Sequence, residues 1–368
     1  MKLELKDLNV LPIKTWSWLQ VNSLSLEEDI PELLPFNKNV VNLNSSDKHL
    51  IEVTGKDEDF EKLLELETGI GKPYTEFVLK NVNKLVNFRI PRGVKIDEPI
   101  LIDYEFDETN LAAIDLNRVI AEEDSEVTII LNYKNKGEES AFHAGLTFLE
   151  AKKNAVINLV IVQLMNDSSI HLSDIGTIVH ENGIININQA EIGGIKSIQG
   201  CKTILKGNES KQNVDSIYFG DKKRFIDINY IVTHEGRFSE SKMKLNGALL
   251  DESRKLFRGT IDFKKGCAGS IGQEEEFNLL FSPKIKNITA PLILCAEENV
   301  QGMHGANSGK IQEEQLFYMM TRGIDELTAK KIMIESAFLP VIMKVPNEEL
   351  QNNIIEFVKG RLLGVKQI

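Results

Sequence analysis

Cysteine is nearly absent from this 368-residue chain: Cys201, Cys267 and Cys295 stand far apart, and no C-x-x-C pair occurs. That argues against a disulfide framework and against a structural zinc site, and points to a reducing compartment. Tryptophan is scarcer, with Trp16 and Trp18 alone, both near the amino end, so the aromatic platforms usual in sugar-binding clefts are missing. No apolar run approaches the roughly 18 residues that span a bilayer, and MKLELKDLNVLPIKTW lacks the uninterrupted apolar core of a signal peptide. The expectation is a cytoplasmic protein without membrane contact. Positive charge is in deficit, 43 Lys and Arg against 55 Asp and Glu, which disfavours a nucleic-acid surface. GxSxG, HExxH and EF-hand motifs are missing, so no local motif indicates an enzyme.

What is present reads as three regions. Residues 1–87 are mixed, with helical patterns in EEDIPELL and DEDFEKLLELETGIG, the second stopped by Gly69 and Gly71. Residues 88–310 consist of short Val/Ile/Leu-rich runs of near period two, such as NAVINLVIVQL and NGIININQAEIGG, separated by Gly, Asn, Asp and Lys. This long stretch is therefore mainly β. A sandwich of hairpins and a parallel solenoid both fit it. Asn182-Gly183 stands as a hairpin-type dipeptide between two such runs, and no fixed repeat length shows. Residues 311–368 are helical: Leu316, Met319, Met320, Leu327, Lys331, Ile334, Ala337 and Phe338 keep an i, i+3/i+4 stripe, with Asp325 as an N-cap. A last helix starts at Asn347. These helices must pack on the β body or receive a partner.

GMHGANSGK, residues 302–310, resembles a phosphate loop but fails it. The first required glycine falls on His304 and the hydroxyl position on Ile311. His304 remains, flanked by small residues at the junction of the β and helical regions. Cys295, in PLILC, reads as a small core hydrophobe. Cys267, after two lysines that favour a thiolate, reads as the better ligand. GQEEEF reads as a solvated charge run, with glycoside chemistry by its carboxylates as the alternative.

FRGTIDFKKGCAGSIG, LLFSPKIKNITAPLILCAEENVQGMHGANSGKI and EEQLFYMMTRGIDELTAKKIMIESAF closely resemble the SufB/SufD family of iron–sulfur cluster assembly proteins. LPIKTWSWLQVN and IPRGVKIDEPILI look familial too. The resemblance implies a mainly β fold: a right-handed parallel β-helix core with an amino-terminal α/β cap and a carboxy-terminal helical domain. It implies a non-catalytic scaffold that pairs edge to edge with a SufB-like chain, or with itself, and docks the ATPase SufC through its carboxy-terminal helices, where Phe317, Tyr318, Arg322, Ile334 and Phe338 are the expected contacts. ATP-driven movement of those helices would open the subunit interface.

His304 carries over as the cluster-assembly residue at that interface, a metal ligand shared with the partner chain. Cys267, Cys295 and Glu276 are the further candidates, Glu276 falling roughly where a SufB-type cysteine would stand. Length and the His304-Gly305-Ala306 form resemble SufD, although Gly302 replaces a cysteine that SufD-like chains often carry. No permanently bound cofactor is expected, only a transient iron–sulfur cluster, with a flavin as a further component of the complex.

Overall fold

In the computed structural model, residues 1–38, 40–42, 52–53, 67–308 and 311–363 are described. The body is a β-solenoid of about eight turns. Its two sheets each hold eight parallel strands, and the chain crosses from one sheet to the other at every strand. Successive coils stack in register, but their lengths differ: Ile170 lies beneath Lys196, and Arg254 beneath Lys286. Coils of 26 to 32 residues therefore follow one another, and that variation hides the repeat in the sequence.

One line of corners is built on left-handed residues, with φ of 61° at Asp124, 56° at Asn154, 53° at Asn182, 57° at Glu209 and 56° at Phe238. Each N–H bonds to the corner of the next coil, as Asp124 does to the Lys153 carbonyl and Asn154 to the Glu181 carbonyl, both at 3.0 Å. Asn182-Gly183 is thus a solenoid corner rather than a hairpin turn.

Three apolar clusters hold the assembly. One fills the lumen, from Phe88 and Tyr104 through Ile157, Ile187 and Ile228 to Phe257 and Phe263. A second lies on the outer face of one sheet, under helices α2 (Ile311–Thr321), α3 (Glu326–Ile342) and α4 (Glu348–Leu363). Asp325 caps α3 by accepting from the Thr328 N–H at 3.0 Å, and Asn347 accepts from the Leu350 N–H at 3.0 Å at the start of α4. The third cluster, on the outer face of the other sheet, takes the short helix α1 (Lys72–Asn81) and an antiparallel hairpin of Lys2–Leu8 with Leu24–Asp29. The helix expected at EEDIPELL is not formed. Leu24 and Leu26, two residues apart, fit a strand whose apolar side lies on the sheet, and Pro31 and Pro35 disfavour a helix beyond it. Most of the second expected helix, DEDFEKLLELETGIG, lies outside the described residues.

The two ends of the solenoid differ. At the first coil, Val41–Asn42 and Glu52–Val53 pair antiparallel on the sheet edges, and Phe36 and Val40 are buried against the lumen. At the last coil, the strands Lys286–Cys295 and Gln301–Ser308 end their sheets with no further strand among the described residues. The first is half-buried along most of its length, and the second is exposed at every residue. One end is capped and the other is open.

Candidate functional site at the open end

Of the near-miss phosphate loop 302–310, residues 302–308 lie in the edge strand Gln301–Ser308, whose side chains alternate, and 309 and 310 lie outside the described residues. Glu274, Glu276 and Asn278 of the preceding coil face the lumen; their in-register partners are His304, Ala306 and Ser308. In-register residues of parallel strands share a face. His304 therefore sits at the mouth of the lumen, directly above Glu274, and is exposed because no coil among the described residues covers it. On the facing sheet, Thr289 lies above Phe257 and Cys295 above Phe263, so these two also line the mouth.

Beneath that mouth lies a charged cluster that the sequence reading missed. Lys255 is ion-paired with Glu276, the two side chains 0% and 1% exposed. Glu276 also accepts from the Tyr218 hydroxyl at 2.7 Å and the Thr289 hydroxyl at 2.5 Å, while Lys255 donates to Thr289 at 2.9 Å. Burial works to raise the Glu276 pKa, but Lys255 and these hydroxyls outweigh it and hold the carboxyl below its ordinary value. Glu274 lacks such partners. Burial, with Glu276 adding, pushes it up to about 7 despite Lys255. Its carboxyl lies against Gly259, where an added Cβ would come within 2.1 Å of it. GQEEEF is thus not a solvated charge run: Glu274 and Glu276 are buried and only Glu275 is exposed. Period-two alternation carried the signal, since 274 and 276 must share a face. Locked under the last coil, the pair presents no open sugar cleft.

The two cysteines exchange the roles expected of them. Cys267 is wholly buried in the lumen core, and burial raises its thiol above the ordinary value. The lysines before it do not offset that burial, and Lys264 pairs with Asp262. Cys295 is exposed, its thiol donating to the Glu297 carbonyl at 3.0 Å. Apolar neighbours suggested a core position, but among the described residues no further coil covers it. Among the described residues, no three His, Cys, Asp or Glu side chains lie close enough to hold a metal ion.

A sequence profile described as "SUF system FeS cluster assembly, SufBD core domain" matches residues 104–337. The chain belongs to the SufBD family. It is similar to an iron-sulfur cluster assembly SufBD family protein of Staphylococcus epidermidis, 23% identical over 75% of this chain and 60% of the relative. A SufBD family protein of Staphylococcus saprophyticus matches to the same extent. The iron-sulfur cluster assembly protein SufD of Bacillus subtilis is 21% identical over 74% of this chain and 63% of its own length. The match spans only about three-fifths of these relatives, and within the family the chain is most like SufD. No helix among the described residues is long and apolar enough to cross a membrane.

The helical residues expected to meet a partner of this SufBD chain divide into two groups. Phe317 and Tyr318 on α2 are 69% and 59% exposed, and the Arg322 guanidinium lies 5.2 Å from the Tyr318 ring centre. Ile334 and Phe338 on α3 are buried against the sheet with Met333, Val341 and Ile342. These two are core residues and offer a partner no surface. Leu327, placed on the same apolar stripe, is exposed.

Proposed function

We propose that this chain is a SufD-like, non-catalytic subunit of an iron–sulfur cluster assembly complex. It pairs with a SufB-like chain through the open end of its solenoid and docks a SufC-like ATPase on the exposed face of α2. The observation that carries this reading is the asymmetry of the ends. One edge is closed by antiparallel strands, while the other leaves two sheet edges and the lumen mouth around His304 bare. An exposed, flat edge is a template for strand pairing, which folded chains ordinarily block.

At that mouth His304 supplies one imidazole, a borderline ligand for iron. With no second and third donor at ligand distance among the described residues, it would hold cargo only together with groups from the partner. A half-site of this kind suits a cluster that must be released after it is built. Exposed Cys295 is the thiol of this chain able to join it. Glu276, committed to Lys255, shapes the floor of the mouth. The ATPase activity belongs to the docked partner.

The test is His304→Ala in the complex co-expressed with SufB-like and SufC-like partners. Because the ring is exposed, assembly and thermal stability should stay unchanged, while the cluster absorbance after anaerobic reconstitution is lost. An unchanged absorbance removes His304 from the site.

A further inference from the structure

The amino-terminal hairpin is an element for which the proposed function has no use. It climbs the outer face of one sheet coil by coil. Glu28 pairs with Lys196. Asn9 donates to the Gln199 carbonyl at 3.4 Å and to Asp227, one coil further, at 2.5 Å. Leu11 and Val21 then pack on Leu256, another coil on, and the Val21 carbonyl accepts from Arg258 at 2.6 Å. Leu256 and Arg258 lie on the last strand but one of that sheet, next to the edge strand Lys286–Cys295. The hairpin is thus heading for the open end when its packing contacts stop.

Its tip is apolar and bare. Trp16 and Trp18 are 74% and 73% exposed, and Ile13 and Leu19 are exposed too. The tip is nevertheless built: the Asn22 side chain accepts from the Thr15 N–H at 2.7 Å and donates to the Thr15 carbonyl at 2.9 Å, closing the loop, and Ser17–Leu19 form a 3-10 turn. The five residues from Leu11 to Trp16 reach up to about 16 Å, whereas the edge strand lies only about 4.8 Å beyond its neighbour. The tip is long enough to overhang the open end. The outer side of the edge strand there is apolar as well, with Ile288, Ala290, Leu292 and Leu294, of which Ile288 is 39% exposed.

We propose that the Trp16–Trp18 tip is a clasp that crosses the open end and packs on the outer sheet face of the family solenoid paired there. Its occupant is the partner's strand face and not a small ligand, because the adjoining surface is an unpaired sheet edge with an apolar flank. Tryptophan suits this use, combining a large apolar area with few rotamers to fix. The inference rests on the pairing reading above, and its test separates the two.

Trp16 and Trp18 are the only tryptophans in the chain, so 5-fluorotryptophan labelling gives two 19F resonances that report on the clasp alone. The labelled full chain is titrated with the unlabelled SufB-like paralogue while sedimentation follows assembly. Both resonances should shift on assembly, and Trp16→Ser/Trp18→Ser should weaken association at least tenfold with an unchanged melting temperature. Assembly without shifts, or with unchanged affinity in the double variant, overturns the clasp and leaves the pairing intact. If the wild-type chains do not assemble, the pairing reading and the clasp both fall. Shifts produced by self-association before the paralogue is added overturn this choice of occupant in favour of a second copy.

Discussion

Lys255 and Glu276 form an ion pair inside the lumen, on facing strands one coil below the open mouth, with almost no solvent contact at either side chain. Removing one member of such a pair leaves an uncompensated charge in the core, which typically costs about 3–5 kcal/mol. Lys255→Met should cost at least that, because Glu274 and Glu276 are then both buried without a cation. Lys255→Met/Glu276→Gln should recover most of the loss. Urea unfolding of the single and double variants measures the difference.

Glu191 lies deeper in the lumen. Its carboxyl is wholly buried, 3.7 Å from the His171 ring, which burial and His143 keep neutral. Burial pushes Glu191 up to about 8, with only the Ser197 hydroxyl opposing. The folded state thus keeps a proton that the unfolded chain releases near the ordinary value of 4.5. Stability is lost as pH rises through that window and levels off above about 8. Asp174 and Glu274 act in the same sense but finish near 6 and 7. Between pH 7 and 8, Glu191 should contribute a fall of about 1 kcal/mol per pH unit. Glu191→Gln should flatten that segment of the curve in chemical denaturation at pH 7, 7.5 and 8.

Strand period and helix stripes were legible in the sequence, because they follow from side-chain alternation within one element. The solenoid was not fixed by pattern. Its coils vary in length, and its left-handed corners are occupied by Asp, Asn, Glu and even Phe238, so no repeated signature marks them; resemblance to the family decided the architecture. His304 stood out by its setting. The roles of Cys267 and Cys295 came out exchanged because flanking residues report the face of a strand, whereas burial depends on whether another coil follows. Glu274 and Glu276 were misread for a related reason: a run of acids looks solvated until period two is applied to it, and their counter-ion Lys255 lies about 20 residues away in the chain.

The helical domain separates contact from core. Ile334 and Phe338 are 0% and 1% exposed on α3, so truncation to Ala should cost about 2–5 kcal/mol each through cavity formation, lowering the unfolding midpoint. Phe317→Ala/Tyr318→Ala should leave the midpoint unchanged and weaken binding of the SufC-like ATPase at least tenfold. Calorimetric titration beside a denaturation curve distinguishes the two sets.

Ala306 lies on the exposed edge strand directly above Glu276, with its side chain toward the mouth of the lumen. In the isolated chain a lysine there would project into water, and Glu276 beneath is already occupied by Lys255. If a partner continues the stack, the same lysine would sit between two coils, where a buried charge without a counter-ion is expelled at a cost of several kcal/mol. Ala306→Lys should therefore keep the unfolding free energy of the isolated chain within about 0.5 kcal/mol, while association with the SufB-like partner falls at least tenfold by sedimentation. Loss of stability in the isolated chain would mean that the mouth is already covered, and unchanged association would place the partner on another surface.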